Sequence, residues 1–439
     1  MIHFPNTTFY KRHNNEISRY IKNDSSLHII NKNSKDKIHS TKGSKLYLDL
    51  NESNFNEVVT KNKKYKTILL TDIVENYDDL FSLLSILKKM LVDDGKIIIS
   101  SINTKYLFFF RVLEYLKLKD SNGNSSYLHL KKINNITNGV GLDYCKFYTK
   151  QFFPFKFFFI GNLINNLLEV LLFQFNLGIK TYMIFRPSEV TDKKMSKSII
   201  IPAKNEEGNL EELISRIPNF DNTEIIFAYG VSKDATLETM KKIADNNKNY
   251  KFKILLQTKT GKANAVWEAL EVVENDIIAI LDADISVEPE TLVDFFDIID
   301  KNRADFVNGT RLVYDMDKNS MRFLNKLGNR FFQFFISRII KEPLSDSLCG
   351  TKVFKKSYLE DLYSWQREFG KIDPFGDFDL IFSAAYSAQK IVELPVNYKE
   401  RRYGTTQISR FKDGYKLLIY LAASFFAFNT SKNEDVSIH

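Results

Sequence analysis

Short apolar runs alternate with helix-period stretches along most of this chain. Leu27–Ile30, Leu46–Leu50, Thr67–Thr71 and Lys96–Ser101 read as strands, with a helix over Asp79–Leu91 between the last two and a polar helical stretch across residues 1–25 before them. The alternation starts again at Ser198. Strands are expected at Ser198–Pro202, Glu224–Tyr229, Lys251–Leu256, Asp276–Leu281 and Asp305–Asn308, with helical runs near 209–217, 234–245, 261–273 and 289–301. A long amphipathic run at 321–340, a helix near 379–388, a strand at Ile391–Leu394 and a helix near 413–428 follow. Strands alternating with helices predict parallel sheets. The fold class is therefore α/β, with two doubly wound Rossmann-like domains.

The polar, proline-bearing segment Arg186–Lys197 is the best linker. It divides the chain into a domain over 1–185, a linker over 186–197, a second domain over 198–430 and a flexible tail over 431–439. A chain of 439 residues is too long for one ordinary core. Charge sharpens the division. Residues 1–190 carry 27 Lys+Arg against 17 Asp+Glu, or +10, and the remainder 35 against 37, or −2. The basic excess of the first half either draws it to an anionic membrane face or reflects the joint enrichment of Lys, Asn, Ile and Phe. It does not call for nucleic acid. Cys145 and Cys349 fall in different predicted domains, so no disulfide framework is expected and a reducing cytoplasm fits. The N-terminal stretch lacks the apolar core of a signal peptide. No segment has the roughly 18 uninterrupted apolar residues of a membrane span. Phe152–Phe175, Met321–Ile340 and Tyr415–Phe428 come partway, and read either as buried amphipathic helices or as helices lying on a membrane. The expected location is cytoplasmic, with peripheral contact at the inner face of the cell membrane as the second option.

The candidate chemistry lies in the second half. The strand IIAILDAD ends in Asp282 and Asp284. Ligands of open α/β sheets bind at the carboxyl ends of strands, and two carboxylates at i and i+2 there can reach one hard cation such as Mg²⁺ or Mn²⁺. The strand SIIIPA opens into a polar turn at Asn205 and Glu206. The TGKANA stretch begins a helix with Lys262 and free backbone N–H groups, where an anion could sit. The NGTR stretch places Arg311 past another strand end. The stretch from Asp346 to Lys352 forms a compact turn, FGDFDL offers Asp377 and Asp379, and RRYGTT sets Arg401 beside a glycine turn.

In this order the elements resemble family 2 glycosyltransferases of the GT-A fold, in particular the branch that makes polyprenyl-phosphate sugars. PAKNEE resembles the family's opening P-x-x-N-E, GKANA its G-K-G-x-A, and LDAD its D-x-D. NGTR, LCGTK and RRYGTT resemble the G-S-R, C-G-x-K and R-x-x-G-x-S elements. The resemblance spans about 197–428 and implies a GT-A type second domain. It implies that Pro202, Asn205 and Glu206 face the nucleotide, that Asp282 and Asp284 handle ribose, diphosphate and metal, and that Lys262, Arg311 and Arg401 hold phosphates. Asp379, with Asp377 as the alternative, would stand near the acceptor as base or orienting group. The implied partners are a nucleotide-sugar donor and a polyprenyl-phosphate or glycan acceptor in cell-envelope biogenesis. One departure is clear. Where many members carry D-D-G-S, this chain has Tyr229-Gly230-Val231-Ser232, which alters base and ribose recognition. Ser232 and Asp234 remain, with helix capping as their alternative role.

The first half resembles, more weakly, a class I S-adenosylmethionine-dependent methyltransferase over about 20–185. The resemblance rests on Thr67–Thr71, the following DIVE, and LVDDGKIIIS. Asp49 would be its ribose acid. A nucleotide-type cofactor needs a glycine-rich turn after the first strand. Here that turn reads LHIINKNSKD, without glycine. A degenerate domain that does not bind S-adenosylmethionine is expected, serving as a platform. A bifunctional enzyme that also methylates and a non-catalytic membrane scaffold are the alternatives.

Overall fold

The computed structural model describes residues 6–21, 25–31, 44–48, 63–74, 79–115, 130–152, 160–190, 194–311, 323–371, 373, 375–399, 403 and 410–429. They divide into two compact units, the first drawn mainly from Met1–Glu189 and the second from Val190–Phe428.

The first unit runs α1 (Asn6–Ser18), β1 (Ser26–Asn31), β2 (Ser44–Leu48), β3 (Tyr65–Thr71), α2 (Leu80–Lys89), β4 (Leu91–Ile102), α3 (Leu107–Tyr115), α4 (Leu130–Val140), β5 (Leu142–Lys150), α5 (Ile160–Leu171) and β6 (Lys180–Pro187). Among the described residues its sheet has the order β2-β1-β3-β4-β6-β5. The first four strands are parallel, and β6 is antiparallel to both β4 and β5. Parallel strands covered on both faces read as near-continuous apolar runs, which is why β3 was visible in the sequence. Helix α2 shows how local pattern becomes packing. Asp79 Oδ1 accepts from Ser82 N at 3.0 Å and starts the helix. Leu80, Leu83, Leu84 and Leu87 then repeat at helical spacing and are all buried. Truncating one of them to Ala costs about 2–5 kcal/mol.

Strands β5 and β6 were not legible. Lys146 and Lys150 are buried within β5 and break its apolar pattern, and buried Lys180 and Arg186 frame the apolar run Tyr182–Phe185 of β6 with charge. Strand β6 also reaches Pro187, and the next strand opens at Lys197, so both ends of the expected linker belong to strands. Asp49 and the glycine-free turn after β1 lie outside the described residues.

The second unit runs β7 (Lys197–Ala203), α6 (Glu207–Arg216), β8 (Thr223–Tyr229), α7 (Thr236–Asn246), β9 (Lys251–Leu256), α8 (Lys262–Glu271), β10 (Ile277–Ile280), α9 (Leu292–Asp300), β11 (Phe306–Thr310), α10 (Phe323–Ile340), β12 (Lys352–Lys355), α11 (Leu359–Phe369), α12 (Asp377–Tyr386), β13 (Ile391–Pro395) and α13 (Arg410–Asn429). Among the described residues the sheet order is β13-β11-β12-β10-β7-β8-β9. Only the pairings of β12 are antiparallel. The α/β class read from the sequence is the one both units have.

Successive strand residues feed opposite cores. Ile199 and Ile201 pack with Leu213, Phe227 and Phe295, whereas Ile200 packs with Val266, Trp267 and Phe306. A further cluster joins α10, α11, α12 and α13 through Ile336, Trp365, Phe382 and Tyr420. The same two outer helices also show apolar residues to solvent, Leu327, Phe331 and Phe334 on α10 and Tyr415, Leu418 and Ile419 on α13. Each of these two helices therefore has one face buried, as the amphipathic reading expects, and apolar residues exposed on the other. No helix among the described residues is long and apolar enough to cross a membrane.

Candidate active site at the carboxyl ends of the second sheet

Strand β10 is short and wholly buried, and the chain leaves it at Asp282. The antiparallel insertion of β12 decides what Asp282 meets. In a parallel neighbour the residues beside the end of β10 would be another strand end. In β12 they are the strand's beginning, with Lys352 paired opposite Ile280. Gly350 therefore lies against the aspartate: a Cβ built there would come within 2.0 Å of Asp282 Oδ2.

Four cationic or acidic groups converge on this point. Lys262, the first residue of α8, makes an ion pair with Asp282 Oδ1 at 2.6 Å. Lys352 donates to Asp377 Oδ1 at 2.6 Å and to the Cys349 carbonyl. Burial alone would raise the pKa of Asp282, but Lys262, then Lys352 and Arg311, outweigh it and hold the carboxyl below its ordinary value. Burial would likewise lower Lys262, and Asp282, Asp377 and Asp284 together raise it instead. Asp284 is turned by its neighbour: its Oδ1 accepts from Ser286 N at 3.0 Å and Ser286 Oγ at 2.6 Å.

Arg311 follows β11 and is committed to a buried partner. Its Nε donates to Asp346 Oδ2 at 2.7 Å and its Nη2 to Oδ1 at 2.9 Å. Asn329 Nδ2 and Leu348 N add further donors to that carboxylate at 2.8 and 3.0 Å. Burial would raise Asp346, yet Arg311 and these donors bring its pKa down to about 2. The guanidinium also lies over the Tyr398 ring, 5.0 Å from its centroid. Tyr398 in turn senses the charges of Asp284 and Asp282.

Asp377 and Asp379 part company. Two residues apart on a helix point to nearly opposite sides. Asp377 joins Lys352 at the site. Asp379 is fully buried on the other side of α12, where Trp365 Nε1 donates to it at 3.2 Å and the Tyr420 hydroxyl also donates. Burial, and then the nearby charge of Asp373, raise the Asp379 pKa to about 7. The sequence ranked Asp379 ahead of Asp377. The structure places Asp377 among the site charges and Asp379 in the core beneath them.

The loops after β7 and β8 are tied to each other. Asn205, held at a φ of 55°, donates its N–H to Ser232 Oγ at 3.0 Å and accepts from Lys233 N at 2.7 Å. Glu206 is buried, takes Asn209 Nδ2 at 2.6 Å, and donates its N–H to Thr236 Oγ1 at 3.0 Å. Asp234 does act at a helix start, accepting from Thr236 N at 3.2 Å. Pro202 stands one residue before the end of β7. Tyr229, in place of the family's acid, takes the Ser232 N–H on its phenolic oxygen at 3.1 Å. Tyr403 reaches this end of the sheet. Its hydroxyl bonds Asp234, and its ring lies where a Cβ on Gly208 would clash at 2.7 Å. Arg401 lies outside the described residues.

Lys352, Gly350, Asp346 and Tyr398 thus complete the site without having been assigned roles from sequence. The LCGTK stretch was the sequence signal for Gly350 and Lys352, and Asp346 was read only as the start of a compact turn. Among the described residues no group of three or more His, Cys, Asp or Glu side chains is arranged to hold a metal. Only the Asp282–Asp284 pair stands at the strand end.

The family model for glycosyl transferase family 2 matches residues 198–363, from the first residues of β7 into α11. This stretch is a family 2 glycosyltransferase domain. Similar curated proteins overlap it. The dolichol-phosphate mannosyltransferase of Pyrococcus furiosus is 28% identical over 228 residues, 49% of this chain and 59% of that protein. A low-salt glycan biosynthesis hexosyltransferase of Haloferax volcanii is 26% identical over 50% of this chain and 51% of its own length. The undecaprenyl-phosphate 4-deoxy-4-formamido-L-arabinose transferase of Edwardsiella ictaluri is 23% identical over 49% and 63%. This chain therefore spans less than two thirds of these relatives. Among solved structures, glucosyl-3-phosphoglycerate synthase from Mycobacterium tuberculosis, in complex with Mn²⁺, UDP and glucosyl-3-phosphoglycerate, aligns with 16% identity and a TM-score of 0.40, covering 55% of this chain and 82% of that one. A mannosyltransferase from Pyrobaculum calidifontis with GDP-mannose and Mn²⁺ aligns with 16% identity and a TM-score of 0.37, covering 54% and 75%. The glycosyltransferase domain thus holds every described residue of the candidate site up to Lys352, and the elements beyond it add Asp377, Tyr398 and Tyr403.

Proposed function

We propose that this chain is a metal-dependent, inverting glycosyltransferase. It would move a sugar from a nucleotide-sugar donor to a lipid-phosphate or saccharide acceptor in cell-surface glycan synthesis. The carrying observation is the convergence of Asp282, Asp284, Lys262 and Lys352 at the end of β10.

The pair fits a hard divalent cation, Mg²⁺ or Mn²⁺. Both side chains are oxygen donors, and Gly350 leaves Asp282 Oδ2 a cradle that any side chain would fill. Two protein carboxylates completed by substrate phosphates are an ordinary arrangement for such ions. The cation would offset charge on the departing diphosphate. Lys262 supplies fixed positive charge on the same side and exchanges Asp282 for a donor phosphate. Asn205, Glu206 and Pro202 face the nucleotide, with Arg401 a further phosphate ligand. Arg311 acts through its field, because its donors are engaged by Asp346. A hydroxyl acceptor needs a base, and Asp377 is the group placed for it. A lipid phosphate is already ionised and needs none. For that acceptor the exposed faces of α10 and α13 would rest on the inner face of the membrane.

The first unit is best read as a degenerate methyltransferase-like platform that binds no S-adenosylmethionine. The polar groups past β3 and along β6 are paired from within the unit. Lys180 is ion-paired to Asp72 just past β3, Tyr10 of α1 donates to the same carboxylate at 3.3 Å, and His13 of α1 shares a hydrogen bond with Tyr182 at 2.9 Å.

A thermal-shift panel of UDP-, GDP-, CDP- and dTDP-sugars with Mn²⁺ tests the transferase reading. One donor at 100 times its Kd stabilises by about 2.7 kcal/mol, and the shift vanishes in Asp284→Ala. A panel without any metal-dependent shift, or a shift that survives in Asp284→Ala, overturns the proposal.

A further inference from the structure

Helix α5 of the first unit is built inside out. Its polar residues Asn165, Asn166 and Glu169 are buried. Their needs are met internally: Arg12 Nη2 donates to Asn166 Oδ1 at 2.6 Å, and Gln151 N donates to Glu169 Oε1 at 2.8 Å. Arg12 also lies 3.7 Å from Glu169. On the opposite side Leu167 and Leu171, one turn apart, are each 52% exposed. A helix facing water places these two classes of residue the other way round.

A second helix, joined to it at one junction, also turns apolar side chains to solvent. The turn after α5 exposes Phe175, and Lys105 Nζ donates to the Phe175 carbonyl at 2.6 Å. Asn103 Nδ2 donates to the Asn176 carbonyl at 2.9 Å, so the end of α5 and the start of α3 are one junction. From there α3 presents Phe108 and Tyr115, 82% and 87% exposed and seven residues apart on one face. The rim of this surface is basic: Lys105 and Arg111 are exposed, and residues 1–190 carry the +10 excess of 27 Lys+Arg over 17 Asp+Glu. A second copy of the chain would bring the same positive rim against it, which like-charge repulsion opposes. An anionic bilayer meets both requirements at once.

We propose that α3 and α5 form a membrane-binding surface of the first unit. Their aromatic and leucine side chains enter the headgroup–acyl boundary of an anionic bilayer, and Arg111 and Lys105 meet lipid phosphates. This surface is separate from α10 and α13 and does not depend on the transferase reading.

Flotation of the full chain with phosphatidylglycerol-containing and with purely phosphatidylcholine vesicles is the test. Binding is at least about tenfold stronger to the anionic vesicles and falls with salt. Phe108→Glu with Leu167→Glu and Leu171→Glu abolishes it. Arg111→Ala weakens anionic binding about fivefold. Because these side chains face solvent, the variants keep the wild-type far-ultraviolet circular dichroism; Leu167→Ser with Leu171→Ser is the milder pair should the glutamates perturb it. Phe331→Glu with Ile419→Glu on the second unit reports separately on α10 and α13. Vesicle binding unchanged by the first-unit variants, or lost only with the second-unit pair, overturns the proposal. So does a wild-type dimer that Leu167→Glu with Leu171→Glu converts to monomer. Loss of the nucleotide-sugar shift with vesicle binding intact would strike the transferase reading alone.

Discussion

Both sheets set an aspartate just past a parallel strand and pair it with a lysine, from β6 in the first unit and from the start of α8 in the second, yet the two pairs differ in how open they are. In the first unit Lys180 of β6 pairs with Asp72, and the two side chains are only 1% and 15% exposed. Tyr10 and His13 from α1 close over them, and burial followed by the charge of Lys180 holds the His13 pKa well below its ordinary value. In the second unit Asp282 and Lys262 are 26% and 31% exposed. Gly350 leaves room beside one carboxylate oxygen, where an added Cβ would come within 2.0 Å of Asp282 Oδ2. A sealed ion pair is weak as a source of stability but costly to break. In an open one the aspartate can exchange its lysine for a cation, and the lysine its aspartate for a phosphate. A charged pair of this kind is a sealed lock in the first sheet and, in the function proposed above, a ligand site in the second.

That contrast is broken most directly by removing each aspartate in turn. Asp282→Ala is expected to lower transfer by at least about 10²-fold, the scale of a lost electrostatic contact at a reacting centre, while leaving thermal unfolding nearly unchanged. Asp72→Ala is expected to do the reverse. It strands Lys180 in the core, costs about 3–5 kcal/mol in unfolding free energy by urea titration, and leaves the nucleotide-sugar shift of the second unit in place. If Asp72→Ala were stability-neutral, or if Asp282→Ala unfolded its unit, the lock-and-site distinction would fail.

Gly350→Ala sharpens the comparison at the open end. The added Cβ would meet Asp282 Oδ2 at 2.0 Å, so the carboxylate must swing away. Overpacking of this kind costs about 1–3 kcal/mol, and here the loss should fall on metal-dependent donor affinity, read as a 10-fold or greater rise in the donor Kd at fixed Mn²⁺. Donor binding without metal should change little. An equal loss with and without Mn²⁺ would mean that the glycine shapes the sheet and has no part in the cradle.

These contrasts also mark what was legible in the sequence. Strands β3, β7 and β10 are continuous apolar runs, and α2 carries its leucines at helical spacing, so hydrophobic pattern alone located them. The Asp282–Asp284 strand end and Lys262 were equally visible, because strand, turn and helix follow one another along the chain. Lys352 and Gly350 were not, since their place beside Asp282 comes from an antiparallel crossover that residue spacing does not encode. Strand β6 carries an apolar run, Tyr182–Phe185, that went unread because Lys180 and Arg186, buried through partners distant in sequence, frame it with charge. The Asp377–Asp379 pair could not be ordered without the phase of α12, which is fixed by packing: Phe378 and Phe382 bury one side, and Asp379 goes in with Trp365 and Tyr420.

Asp379 itself provides the finest test of the buried side. Asp373 and Asp379 are both deep in the fold beneath α12. Burial and then neighbouring carboxylate charge raise them to about 6 and about 7 respectively. Asp373 Oδ2 also accepts from Phe378 N at 2.6 Å at the helix start, and the Tyr420 hydroxyl donates to Asp379. An acid whose folded pKa lies above its unfolded value keeps its proton longer in the folded state. Between about pH 4 and pH 7 these two sites therefore hold more protons in the native chain than in the unfolded one, and their contribution to stability falls as pH rises through that window. Asp379→Asn keeps the shape and removes the titration. The variant should match the wild type near pH 4 and show a slope shallower by up to about 1 kcal/mol per pH unit above it, measured by urea unfolding at a series of pH values. Transfer at neutral pH should persist, because the group that meets Lys352 at the site is Asp377. A variant with the wild-type slope would show that Asp379 is ionised in the fold, and one that folds normally yet loses all transfer would return it to the reacting centre.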